Sequence, residues 1–377
     1  MKARFTLDGS NALEERLEEL CTRARDKVLA IIPSGDLEAL VLGGGYGRGE
    51  GGVLRTGSGE QPYNDMEFYA LLRGSEFLTQ RRVCDRIHHA AEELTALADI
   101  DVEFKLLALR KIERSPVTMF YYDLISGHRM VQGDDAWLAR CQHHRSAHRI
   151  PLHEATRLLM NRCSGLLFAQ ERLARADFRP EDGDFVGRNL AKAKLAFGDV
   201  ILAMRGQYHS SCRERYKRLR KLEPEPSLPS FSSLLPLHEQ GVEFKLHPVR
   251  DQRNIAPFNA ELKFLKEIGR ELWLYLESKR LARAFDSIAL YCHDPHSKCP
   301  ETTPLKNRLI NLRTFGPSCV LDSRYPRERL LRALPVLLWD EALSPSQLSL
   351  IQQQLRSSSA DFMGLVRAYE AIWRIYN

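Results

Sequence analysis

No run of the 377 residues is both long and apolar enough to cross a bilayer. The cleanest apolar stretch near the C-terminus, residues 333–339, carries a proline, whereas a spanning helix needs about 20 residues. The opening MKARFTLDGSNALEE lacks the apolar core and cleavage site of a secretory leader. The eight cysteines are scattered, and none forms a CxxC pair. That excludes a disulfide-stapled miniprotein, and without an export signal the thiols are expected to be reduced, in a cytoplasm. No internal repeat is present. There is little excess charge: 55 basic against 49 acidic residues leaves +6, which permits polyanion binding without demanding it. The one basic concentration, residues 213–221, reads first as a solvated helix face.

What remains is an ordinary globular mix, 44% hydrophobic and 28% charged. The length suggests two domains, with a boundary expected at 148/149. In the first part, Leu13, Leu17, Leu20, Ala24, Val28 and Ile31 recur at steps of three and four, which predicts a helix over 11–32. A short apolar strand follows at 37–42 and runs into the glycine-rich string GGGYGRGEGG at 43–52, expected to be a loop open to close backbone approach. The polar stretch 55–64 reads as a hairpin tip or mobile loop. Residues 65–72 form a strand, 75–97 a helix and 100–107 an alternating strand, with Asp99 capping that helix or starting that strand. A further helix is expected at 116–126 and an edge strand at 129–132.

From about residue 151 glycine thins out and helical periodicity dominates, over 151–176, 185–206, 211–221, 259–284, 327–340, 346–356 and 360–376. Residues 223–236 hold four prolines and four serines and read as a linker. The predicted fold class is therefore α+β: a small mixed sheet with helices over 1–148, then an all-helical domain over 149–377.

The chemistry concentrates behind the glycines. Asp65 and Glu67 sit two apart on one strand, so they share a face. Two adjacent carboxylates repel, and a divalent cation removes the conflict. Mg²⁺ takes one or two protein carboxylates together with phosphate oxygens. Asp101 offers a third carboxylate on the next strand, with Glu103 its rival on the same face. Such a triad suits two Mg²⁺ ions, or Mn²⁺, stabilising an in-line displacement at phosphorus. The amides of Gly44, Gly45 and Gly47 offer a phosphate nest, and Arg48 a bidentate phosphate donor. Pairing of Arg48 with Glu50 is the competing structural use. No GK[ST] follows, so this is not a Walker loop, and no helix follows as a dinucleotide fingerprint requires.

A strand leading into GGYGRGE (44–50), then NDME (64–67) on a strand, then the IDV at 100–102, resembles the nucleotidyltransferase superfamily with the DNA polymerase β-like fold. Within it, the glycine string is similar to the catalytic module of bacterial uridylyltransferases that modify a nitrogen-signalling regulatory protein. The likeness covers about residues 35–133. It implies Asp65, Glu67 and Asp101 as catalytic metal ligands, and transfer of a nucleoside monophosphate from a nucleoside triphosphate such as ATP. The acceptor would be a hydroxyl of a small molecule or of a protein side chain, with pyrophosphate leaving. It also implies a nucleotide between the two domains, with Lys192 or Lys194 reaching the triphosphate. The sequence departs in two ways. Fourteen residues separate Glu50 from Asp65, which suggests an elongated hairpin, and the accessory domains of those uridylyltransferases have no counterpart here. Two other classes stay open: a nucleotide sensor without turnover, and a nucleic-acid binder using 213–221. The modest charge and the absence of a recognisable RNA-binding module argue against nucleic acid. Tyr208 is a candidate base-stacking residue.

Overall fold

The computed structural model describes residues 4–251, 253–340 and 342–377. The chain is α+β and mostly helical, with one mixed four-stranded sheet and one two-stranded sheet. It forms two compact units. The first comprises the residues through Pro151 with Arg205–Leu222 and Val242–Val249; the second comprises Leu152–Met204, Glu223–Gly241 and Arg250–Asn377. Two stretches from beyond residue 149 thus belong with the N-terminal part.

The first unit begins with α1 (Asn11–Ile31), capped by the Ser10 hydroxyl accepting from the Leu13 amide. Then come β1 (Leu37–Leu42), the single turn α2 (Gly44–Gly47), the hairpin β2 (Val53–Thr56) and β3 (Gly59–Pro62), and β4 (Met66–Leu72). They are followed by α3 (Glu76–Ala98), β5 (Val102–Ala108), α4 (Leu109–Arg114), α5 (Met119–Ser126) and β6 (Arg129–Gln132). Tight 3₁₀ turns over Asp135–Arg145 and Ala147–Arg149 close this part of the unit. The sheet order is β5-β4-β1-β6. β4 runs parallel to β5, and β1 antiparallel to both β4 and β6.

The two faces of this sheet bury different residues. Leu40, Leu42, Phe68, Ala70, Leu72 and Val102 pack under α1 and α3. Ala39, Val41, Tyr69 and Leu71 pack under α4, α5 and the 3₁₀ segment. The period-two alternation is what lets one strand serve both cores. On the second face β4 and β5 are apolar only toward their ends; at their beginnings that face carries Glu67, Glu103 and Lys105.

The second unit contains α6 (Leu152–Leu173) and α7 (Pro180–Met204), after which α8 (Cys212–Leu219) belongs to the first. α9 (Phe231–Leu246) starts in the second unit, and its residues from Val242 count with the first. α10 (Ile255–Leu281), α11 (Ile288–His293), α12 (Pro304–Phe315), α13 (Pro326–Trp339), α14 (Pro345–Leu355) and α15 (Phe362–Tyr376) complete the second unit. Among the described residues no helix is long and apolar enough to cross a membrane.

Several expectations need correction. The stretch 223–236 is not all linker, because α9 begins at Phe231 and carries Pro236 in its second turn. Pro236 is the sixth residue of this helix, so its missing amide removes the hydrogen bond that the Ser232 carbonyl would otherwise accept. The helix expected at 116–126 begins at Met119, capped by Thr118, and α4 precedes it. The glycine string is not loop throughout, since Gly44–Gly47 winds into one helical turn. The polar stretch at 55–64 does build a hairpin, and Asp99 ends α3 in a left-handed conformation at φ 59°.

Candidate functional site

Parallel pairing of β4 with β5 places Glu67 opposite Glu103. The Met66 amide donates to the Asp101 carbonyl at 2.9 Å, so the pairing reaches the residue just before β5. Asp65 and Asp101 therefore start adjacent strands at the same end of the sheet, both exposed. Glu67 and Glu103 converge on a cation the chain supplies itself. The Lys105 ammonium lies 2.6 Å from Glu67 Oε1 and 2.9 Å from Glu103 Oε2. Partial burial works to lower the Lys105 pKa, but its hydrogen bonds to Glu67 and Glu103 and their negative charge outweigh that and hold the pKa above its ordinary value. Tyr69, on the same face, is pushed up by burial and by the Glu67 charge.

Among the described residues no three His, Cys, Asp or Glu side chains are gathered closely enough to hold a metal ion. Two carboxylates are brought together, and Asp65 and Asp101 stand beside them. The donors are hard oxygens on an accessible sheet end, a type that fits Mg²⁺, provided that Lys105 gives way.

The glycine turn follows directly on β1. The Gly43 amide donates to the Glu67 carbonyl at 2.9 Å, which fastens the start of the turn to β4. Its glycines serve different ends. At Gly44, with φ 64°, an added Cβ would meet only Glu67 Oε2, at 3.3 Å. Gly44 is thus the glycine that faces the carboxylate. At Gly45 a Cβ would come 2.9 Å from the Glu50 carbonyl oxygen, and at Gly47 only 2.1 Å from that of Leu42. The Gly47 amide is also engaged, donating to the Gly43 carbonyl at 3.0 Å. Gly47 is a packing residue against β1, while Gly44 and Gly45 open the turn, where helix amides have no partner within the helix. Tyr46, fully buried, clamps the far side: its hydroxyl donates to the Gly52 carbonyl at 3.0 Å and accepts from the Tyr63 amide at 2.9 Å. Burial, with the Asp65 charge adding, pushes its pKa to about 12, although those amide contacts pull the other way.

Behind the turn lies a polar cluster. Glu50, 6% exposed, does not pair with Arg48. Its carboxylate accepts from the Ser211 hydroxyl at 2.6 Å and the Cys212 amide at 2.9 Å, at the N-terminus of α8. Burial would raise its pKa, and these two donors more than offset that, so it lies below the ordinary carboxylate value. Stability from Glu50 is therefore present above its unfolded pKa and fades as pH falls through the depressed folded value. Glu50→Gln should cost about 1–3 kcal/mol at neutral pH, with the gap to the parent closing in acid. Urea melts of both proteins across the acid range check this, and a pH-independent gap contradicts it.

Arg48 is half-buried, its stem packed on Gly127, where a Cβ would come 2.4 Å from Arg48 Cγ. Its Nε is buried with no hydrogen-bond partner among the described residues. Near it are Asp123, whose pKa is raised by burial despite the cations of Arg48, Arg215 and Lys245, and Lys245, lowered by burial and by Arg48 and Arg215. Tyr208 does not present its ring to a ligand. It is buried, edge-on to Tyr122, and its hydroxyl donates to Asp123 Oδ2 at 3.1 Å. Arg215, 3% exposed, is held by the His209 and Ser210 carbonyls at 2.7 and 3.0 Å. Lys245 and Asp123 carried no local signal, since each lies far from the glycine string in sequence and neither sits in a motif; Arg215 belongs to the basic segment 213–221 read as a solvated helix face, but it is buried.

Lys192 and Lys194 are on α7 in the second unit. Lys194 is bound there by Glu261 at 2.5 Å and Gln240 at 2.8 Å. No protein-family model matches the chain, and no curated protein does either.

Proposed function

We propose that the first unit is a nucleotidyltransferase module of the DNA polymerase β-like kind. It would move a nucleoside monophosphate from a nucleoside triphosphate to an acceptor hydroxyl, of a small molecule or of a protein. The observation that carries this reading is the placement, at the starts of two paired parallel strands, of four acidic residues beside a glycine turn. Gly44, lacking a Cβ, leaves the space beside the Glu67 carboxylate clear.

In this reading Asp65 and Glu67, with Asp101 or Glu103, would hold Mg²⁺. When bound, the metal supplies charge neutralisation across the phosphates and activates the attacking oxygen. The chain's own part is positioning. The amides of Gly44 and Gly45 orient phosphate oxygens, and Arg48 brings positive charge to the turn. Tyr46 and the Gly43–Glu67 bond keep the turn at a set distance from the carboxylates. Most of the rate gain in such chemistry comes from fixed geometry and fixed charge.

One observation favours a second reading. Lys105 already supplies a counter-charge to Glu67 and Glu103. A sensor that binds a nucleotide without turnover needs no metal for chemistry, and Lys105 already offsets part of the negative charge at this sheet end.

Melting temperatures with each ribonucleoside triphosphate, with and without Mg²⁺, separate the two. A ligand at a hundred times its Kd stabilises by about 2.7 kcal/mol, worth several degrees. A shift for one triphosphate that needs Mg²⁺ and disappears in Asp65→Asn supports the transferase. An equal shift without Mg²⁺ supports the sensor. No shift with any triphosphate overturns both.

A further inference from the structure

The structure leaves β5 at the end of the sheet, and we propose that this edge pairs, antiparallel and centred on Phe104, with the same edge of a second copy of the chain. The inference does not rest on the nucleotide reading, although Glu103 and Lys105 figure in both.

The backbone directions follow from the pairing with β4. Asp101 turns its carbonyl to Met66, so by strand alternation Glu103, Lys105 and Leu107 also bond inward. Val102, Phe104, Leu106 and Ala108 then turn their amides to the open side. The two outermost are already served by α3. The Val102 amide donates to Thr95 Oγ1 at 3.0 Å, and the Ala108 amide to Glu76 Oε2 at 3.3 Å. Among the described residues nothing hydrogen-bonds the amides of Phe104 and Leu106 on this side. The open stretch is therefore short, central and bounded, which is the form of a pairing site rather than of a frayed edge.

Beside it runs a groove of about 670 Å³ between α3 and β5. Ile87, Ala91, Phe104 and Leu106 give it an apolar floor, and Gln80 and His88 a polar rim. An unpaired strand edge is a template for another strand, and proteins commonly blunt such edges with charges. Here the charges are matched instead. A two-fold pairing centred on Phe104 sets Glu103 opposite Lys105 of the second copy, and Lys105 opposite its Glu103. Both pairs lie at the close, non-hydrogen-bonded positions. Centring on Lys105 would oppose two lysines, and centring on Glu103 two glutamates. Centring on Leu106 would set Lys105 against Leu107. Only the Phe104 register uses the free amides and sets Glu103 and Lys105 of one copy against their opposites in the other, with Asp101 at the rim facing Leu107, and this charge complementarity selects a second copy as the occupant.

Sedimentation across a concentration series tests this on the full chain. The parent should dimerise. Glu103→Lys and Lys105→Glu alone should each weaken the dimer at least about tenfold, because like charges then face one another. The double swap restores the complementary pairs and should restore the dimer. Hydrogen exchange of the Phe104 and Leu106 amides in the unmodified chain gives a readout that no variant can confound: both should slow as concentration rises. A chain that stays monomeric to high micromolar concentration overturns the proposal and leaves the edge to a strand from a different protein. A dimer whose affinity ignores both reversals, or whose Phe104 and Leu106 amides exchange as fast as in the monomer, overturns it as well.

Discussion

Glu67→Gln should reduce triphosphate-dependent turnover at least about a hundredfold while leaving the fold intact. The first half of that expectation rests on placement. Glu67 is the carboxylate that lies over Gly44, opposite Glu103, at the sheet end where Asp65 and Asp101 begin their strands. An amide of the same shape keeps one acceptor oxygen but loses the charge that a divalent cation needs. The second half rests on exposure. The ion pair of Glu67 with Lys105 is made by side chains 31% and 43% exposed, and such pairs contribute roughly 0–1 kcal/mol. Melting should therefore change little. Asp65→Asn should behave alike, since Asp65 is exposed and outside the core. Lys105→Met should act in the opposite direction on metal binding. Removing a cation that sits on Glu67 and Glu103 should tighten Mg²⁺ binding, read by calorimetry. Unchanged turnover in Glu67→Gln, with the nucleotide still bound, would sink the transferase reading.

Gly47→Ala should be among the most destabilising single methyl additions in the glycine string, with Gly51→Ala, whose Cβ would lie 2.0 Å from the buried Tyr46 ring. At Gly47 the new carbon would lie 2.1 Å from the Leu42 carbonyl oxygen and 2.9 Å from its carbon. Leu42 is fully buried and belongs to β1, which is hydrogen-bonded on both sides by β4 and β6, so its backbone has nowhere to move. Overpacking against mobile side chains costs about 1–3 kcal/mol; against a fixed carbonyl the cost should exceed about 3 kcal/mol, or roughly 6–12 °C in a unit of this size. Gly57→Ala is the control, since a Cβ there meets nothing within 4 Å. Gly44→Ala should fall between them, because its φ of 64° costs about 1 kcal/mol and the only neighbour is the tip of Glu67. A Gly47→Ala protein that melts with the parent would show that the turn can detach from β1, and its glycines would then need another explanation.

These contrasts show which parts of the site could be read from the chain alone. Asp65 and Glu67 were legible because two residues apart on a strand means one face, whatever the strand pairs with. The placement of Asp101 and Glu103 beside them needed only that β5 neighbour β4. Period three and four marked α1 and α3 just as directly, since an amphipathic stripe is a local property. The hairpin was legible from turn formers. α9 was not, because Pro224, Pro226, Pro229 and Pro236 look alike in sequence, yet only Pro236 falls inside the helix, in its second turn.

The sequence by itself thus determined the α+β class, the face shared by Asp65 and Glu67, and the amphipathic helices, all consequences of short-range periodicity. Tertiary structure alone decided the rest. It sent Glu50 to α8 rather than to Arg48, and made Gly47 a packing residue. It put Lys105 between Glu67 and Glu103, and brought Lys245 and Arg215 from distant segments to the polar cluster behind the turn. Each of those outcomes depends on which strand lies beside which and on which buried polar group finds a partner. Such competitions are settled by the packed fold as a whole, because a buried charge must be satisfied by whatever reaches it and not by its neighbours in sequence.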